Sequence, residues 1–205
     1  MKLYDVEISG NCYTVRLLVS LLGIECERVS VDLYESREHK APAFLRMNPR
    51  GQVPVLTDDD ETVWDSQAIL AYIARRYGGE DWLPADAAGM AEVMQWLAVS
   101  GNEVLYGLAR ARAIKAFGRP WSLDEAQAQA RDGLTVLEGR LRDHDWLALD
   151  RPTIADIACY PYVALAPEGG VGLDDRPAIG SWMGRIQALP GYVGMPGIEP
   201  QSAFA

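Results

Sequence analysis

The sequence predicts two domains in succession: an α/β unit over residues 1–79 and an all-helical unit over residues 86–205. Three observations carry this reading. Up to Gly79, short alternating segments are interleaved with apolar helical periods. Trp82-Leu83-Pro84-Ala85-Asp86 then reads as a linker of turn residues. Beyond it the composition shifts to Ala, Leu, Met and Glu, in helix-length patterns. A chain of 205 residues is long enough for one large domain or two small ones.

Each element has its own signal. Lys2 to Val6 alternates as a short first strand. Ser9-Gly10-Asn11-Cys12 is a turn rich in helix-capping types. Val15, Leu17, Leu18, Leu21 and Leu22 define a buried helix from Tyr13 to Leu22, which Gly23 stops. Glu27 to Asp32 alternates again, as a strand does. Glu35 to Lys40 is charged and reads as surface loop. Ala43 to Met47 is a short helix ending before Asn48-Pro49. Val53-Pro54-Val55-Leu56 is an apolar strand with a proline in it, which restricts that proline to a strand start, an edge or a bulge. A turn at Asp58 to Glu61 joins it to Thr62-Val63-Trp64 as a hairpin. Asp65-Ser66 then opens a helix that runs to Gly78-Gly79.

In the second half, Ala87 to Phe117 is one long helical pattern interrupted by Gly101 and Gly107. Each glycine costs roughly 1 kcal/mol against Ala in a helix interior, so they mark a bend or a close backbone approach. Gly118-Arg119-Pro120 ends it. Ser122 caps the next helix, which runs to about Arg142. Thr153 with Asp156 has capping-box spacing ahead of a buried helix. Pro177 to Leu189 gives the last helix, and the tail from Met195 onward reads as irregular.

Composition narrows the function classes. A net charge of −10 and a pI near 4.7 exclude nucleic acid as a natural partner and disfavour an anionic membrane surface. No apolar run approaches the roughly 20 residues that span a bilayer. Met1 to Val6 does not read as a secretion signal. Cys12, Cys26 and Cys159 are odd in number and widely spaced, which fits a reducing cytoplasm rather than a disulfide framework. With two histidines and no Cys-x-x-Cys pair, no metal site is expected.

Two stretches point to a ligand. In Met47-Asn48-Pro49-Arg50-Gly51-Gln52-Val53-Pro54, turn chemistry leads into a strand whose X-Pro bond is a candidate for the cis isomer. Asp65-Ser66 places a carboxylate and a hydroxyl at a helix N-terminus, where free N–H groups gather. The order β-α-β-α-β-β-α through Gly79 is thioredoxin-like. Together the two motifs closely resemble the glutathione-binding half of the glutathione S-transferase family, of a bacterial type similar to the theta and nu classes. Thr153-x-x-Asp156 is similar to the family's folding box.

The resemblance implies a glutathione S-transferase fold and a cytoplasmic, homodimeric detoxification enzyme. Glutathione would be its co-substrate, presented as thiolate to a small electrophile or a peroxide. It implies a cis Val53–Pro54 bond, with Val53 pairing to the tripeptide backbone. Asp65 and Ser66 would hold the γ-glutamyl end, and His39, Lys40 and Gln52 the glycine carboxylate. Ser9 is the expected hydroxyl donor to the thiolate, with Asn11 as its rival and Cys12 as a third possibility. Asn102, Tyr106 and Arg110 share a broad helical face and are candidates for the electrophile pocket, while Trp96 reads as core or dimer contact. Arg16 and Arg75 read as surface or salt-bridge residues. A dimer is expected through the long helix carrying Gly101 and Gly107. Two rivals stand beside this reading: a glutathione-dependent disulfide reductase on the same fold, and a non-catalytic interaction module.

Overall fold

The computed structural model of the protein describes residues 1–200. Residues 201–205, the end of the expected helical domain and of its irregular tail, lie outside the described residues.

Four strands form one sheet in the order β2-β1-β3-β4, with β1 Lys2–Asp5, β2 Glu27–Ser30, β3 Val55–Asp58 and β4 Glu61–Trp64. β1 runs parallel to β2, which requires a crossover, and α1 (Gly10–Leu21) supplies it. β3 is antiparallel to both β1 and β4. α1 starts at Gly10 rather than at Tyr13, because Ser9 caps it: its hydroxyl accepts from the Cys12 N–H at 3.3 Å. Glu38–Lys40 is a short 3₁₀ turn, not open loop, and leads into α2 (Pro42–Met47). β3 begins at Val55, so Val53 and Pro54 precede the strand instead of lying in it. It extends to Asp58, leaving Asp59 and Asp60 to make the turn, with Asp59 at φ 50°. The buried Asp58 carboxylate accepts from the Tyr72 and Tyr77 hydroxyls at 2.9 and 2.6 Å, which ties the hairpin to the helix after it. That helix, α3 (Ser66–Ile73), continues with wider turns to Gly78.

The long helical pattern is a single track in three geometries: α4 (Ala87–Val99), a wide π-type stretch over Ser100–Ala109, and α5 (Arg110–Phe117). Gly107 lies where a side chain has no room, since a Cβ there would meet the Ala130 backbone nitrogen at 2.5 Å. A Cβ on Gly101 would sit 3.3 Å from the Gln67 amide. Both glycines thus have close neighbours inside the subunit, Gly107 on α6 and Gly101 at Gln67. α6 (Leu123–Leu141), α7 (Ile154–Ala164) and α8 (Pro177–Gln187) complete the bundle. Among the described residues no helix is long and apolar enough to cross a membrane.

The linker separates the two units in sequence only. One apolar core runs from Leu3, Tyr13, Leu18 and Leu70 into Val93, Leu134, Tyr160 and Trp182. α1 packs against both α3 and α7, so it lies between the first unit's own helix and the helical unit. A smaller cluster of Val31, Phe44 and Val55 seats α2 on the sheet and packs against Val53.

Candidate active site

The β1–α1 loop is held at consecutive carbonyls. Arg16 pairs with the buried Asp5 and donates to the Glu7 carbonyl at 2.8 Å. From the helical unit, the buried Arg112 donates to the Ile8 carbonyl at 2.9 Å and to Glu168 at 2.5 Å. Arg75 donates to the Pro84 carbonyl at 2.9 Å, a linker contact. Ser9, the next residue in the clamped loop, thus has a fixed position at the N-terminus of α1.

A second loop faces it. The buried Asn48 closes the turn read from sequence: its amide donates to the Gln52 carbonyl at 2.7 Å, and its side-chain oxygen accepts from the Arg50 N–H at 3.0 Å. Gly51 at φ 57° belongs there because a Cβ would meet the His39 carbonyl oxygen at 2.7 Å. Lys40 donates to the carbonyls of Arg50 and Gly51, at 3.3 and 3.0 Å, and so braces the segment that delivers Gln52 and Val53. The Val53–Pro54 peptide bond is cis, as expected. Val53 lies outside the strand ladder, so its N–H and C=O are not committed to the sheet.

The third wall is the start of α3. Asp65 has φ 77° and ψ 129°, a region that non-glycine residues rarely occupy and that concentrates at ligand sites. One carboxylate oxygen accepts from the Gln67 N–H at 3.0 Å, and the other lies 3.4 Å from the Arg50 guanidinium. Ser66 follows as the first helical residue.

These walls enclose a cleft of about 710 Å³, within the usual range for small-molecule sites. Ser9, Asn11, His39, Lys40, Gln52, Val53, Pro54, Asp65 and Ser66 all line it. Asn102, Tyr106 and Arg110 do not: the helical wall is instead Leu105, Arg119 and Tyr162. Arg110 is sandwiched between Tyr106 and Trp121, 4.7 and 5.1 Å from the two ring centres. Asn102 turns its amide back to the Ala98 carbonyl at 3.0 Å. A shared face on a straight helix selected those three, and the wide-turn stretch alters that register.

The electrostatics of the cleft oppose those of the chain. The protein carries −10 overall, yet Arg37, Lys40, Arg50 and Arg119 line the cleft against the single carboxylate of Asp65. Such a site attracts anions. Burial, followed by the Lys40 charge, lowers the pKa of His39, and the Asp32 backbone beside its ring opposes that shift. Cys12 is fully buried, and desolvation pushes its thiol up to about 12, which removes it from thiolate chemistry at neutral pH. Among the described residues no cluster of His, Cys, Asp and Glu could hold a metal.

Tyr162 escaped the sequence reading because it sits in the apolar run Cys159-Tyr160-Pro161-Tyr162, where an aromatic reads as core. Arg119 escaped because Gly118-Arg119-Pro120 reads only as a helix stop. No periodicity marks either as site-facing.

A mixed four-stranded sheet, a helical bundle and a cleft at the seam with a cis-proline loop on one wall define the glutathione S-transferase class, and the chain belongs to that family. Residues 1–75 match its N-terminal domain and residues 102–190 its C-terminal domain. The chain is 33% identical to a maleylacetoacetate isomerase of Pseudomonas aeruginosa, the match covering 87% of each chain. It is 33% identical to glutathione S-transferase 3 of Zea mays, over 94% of this chain and 91% of that one. A crystal structure of a glutathione S-transferase from Pseudomonas fluorescens superposes with a TM-score of 0.89 at 33% identity, covering 95% and 98% of the two chains.

Proposed function

We propose that the cleft binds glutathione, ionises its thiol and presents the thiolate to an electrophilic carbon or a peroxide. The observation that carries this reading is convergence: nine residues singled out from separate parts of the sequence line one cationic cleft in an acidic protein. Glutathione brings two carboxylates and one ammonium, and the walls offer a group for each. The free N–H groups at the start of α3, with the Ser66 hydroxyl, donate to the γ-glutamyl carboxylate, and the Asp65 carboxylate meets its ammonium. Val53 offers its uncommitted backbone to the cysteinyl residue. Gln52, Lys40 and His39 receive the glycine carboxylate. His39 acts there as a neutral donor, since its pKa is lowered.

That arrangement aims the cysteinyl sulfur at Ser9. The Ser9 oxygen accepts from the Cys12 N–H, so its own hydrogen is available to the thiolate. The α1 N-terminus adds a favourable field. Asn11 lines the same wall and is the alternative donor. In conjugation the thiol proton leaves to solvent, sulfur bonds to carbon, and the displaced group departs with the bonding electrons. With Cys12 buried and protonated, the chain has no dithiol at this site, which favours conjugation over a disulfide reductase built on protein cysteines.

The enzyme works in the cytoplasm as a homodimer. Met94 on α4 and Trp64 on β4 are large apolar side chains left 52% and 37% exposed, one from each unit. Domain limits at 1–79 and 86–205 remain the working division. Retention on glutathione-agarose, followed by a panel of aryl halides, hydroperoxides and mixed disulfides, tests the activity. Flow-through of folded protein rejects it, and a monomer by light scattering at micromolar concentration rejects the dimer.

A further inference from the structure

We propose that Tyr162 supplies a second hydroxyl to the sulfur, so that the thiolate is held by one donor from each domain. This rests on the glutathione reading above.

Tyr162 belongs to α7, in the helical unit, yet it reaches the start of α1. Its ring lies so close to Gly10 that a Cβ there would sit 2.7 Å from two ring carbons. Gly10 is the residue between Ser9 and Asn11, and both of those line the cleft with Tyr162. The phenol is thus delivered to the same helix end that carries the Ser9 hydroxyl. The absent side chain at Gly10 makes the approach possible.

The Asn11 backbone N–H lies near enough to the phenol to pull its pKa down, against the larger effect of burial. A protonated phenol carries one O–H donor. No acceptor for that hydrogen is found among the described protein groups, and the side chain lines the cleft. Burial keeps the phenol protonated to about pH 12, so it remains a donor wherever glutathione ionises. The buried Arg112 is close enough to oppose that shift, and its charge also favours an anion at this helix end. Tyr162 keeps its proton throughout, and the thiol proton goes to solvent.

Tyr162→Phe tests this, because it leaves the ring on Gly10 and removes only the hydroxyl. The thiolate absorbance of the glutathione complex is followed against pH for parent and variant, alongside conjugation kinetics and affinity for S-methylglutathione. The variant is expected to ionise bound glutathione at higher pH and to lose roughly ten- to a hundredfold in kcat near neutrality. Affinity for S-methylglutathione, which has no thiol proton, is expected to stay within about twofold. An identical thiol titration in both proteins overturns the proposal, as does a loss of S-methylglutathione affinity matching the loss in kcat. If the parent itself does not bind S-methylglutathione, the glutathione reading falls and this one falls with it.

Discussion

Replacing Asp156 with Ala removes the most heavily used carboxylate in the helical unit. Asp156 is fully buried. One oxygen accepts from the Leu147 N–H and the Trp182 indole N–H, each at 2.9 Å. The other accepts from the Thr153 N–H at 2.9 Å and the Thr153 hydroxyl at 3.3 Å. The substitution leaves three N–H donors unpaired in the core; the hydroxyl can rotate. At about 1–3 kcal/mol per orphaned donor the loss centres near 6 kcal/mol. An opposing contribution comes from the charge itself. Burial outweighs the four hydrogen bonds and raises the pKa to about 6, against about 3.9 unfolded. The ionised carboxylate therefore lowers stability by about 3 kcal/mol at neutral pH. The net expectation is a loss of about 3 kcal/mol, or roughly 6–12 °C in Tm for a chain of this size.

The sign of the pH dependence follows from the same numbers. Between pH 4 and 6 the unfolded chain has released this proton and the folded chain has not, so the Asp156 contribution falls as pH rises through that window. Asp156→Asn, which does not titrate, should flatten that part of the stability profile. Urea unfolding followed by tryptophan fluorescence gives both quantities, since Trp182 is a direct partner. An unchanged midpoint for Asp156→Ala would refute the donor argument. A fall in turnover with no change in stability would show that the box belongs to the chemistry.

Ser9→Ala is expected to lower kcat by roughly ten- to a hundredfold with little change in glutathione affinity, while Cys12→Ser keeps most of its turnover; the reverse pattern in kcat/KM would point to a cysteine mechanism. Asp65→Ala should raise the glutathione Kd by about tenfold or more, the usual loss for a hydrogen bond to a charged group, and an unchanged calorimetric Kd rejects that role. Thr153→Ala should cost about 0.5–2 kcal/mol in urea unfolding with chemistry intact, as a lost N-cap does. Gly107→Ala places a methyl against the α6 backbone and should cost about 1–3 kcal/mol, with a silent melting curve as the contrary result.

Much of the fold was written in local chemistry. The element order to Gly79, the helix stops at Gly23 and Gly118, the Asn48–Gly51 turn, the Asp65 cap and the Thr153–Asp156 box each depend on residues a few positions apart. Short-range sterics and capping hydrogen bonds decide such features, so a single sequence carries them. Most of the cleft wall on the sheet-bearing unit was legible for the same reason, since its residues lie in two turns and one helix start.

What the sequence could not carry was any feature decided by elements far apart in the chain. The wide turns at Ser100–Ala109 changed which side chains face the cleft, so Leu105 lines it and Asn102, Tyr106 and Arg110 do not. Gly107 is required by a backbone on α6 and not by its own helix. Arg112 holds the Ser9 loop across 104 residues, and Tyr162 meets Gly10 across the seam between the domains. A buried Arg and an aromatic in an apolar run carry no local mark of these roles. Side-chain reach across a packed interface has no period in the sequence, and only folding both halves onto one core brings these groups to the same helix end.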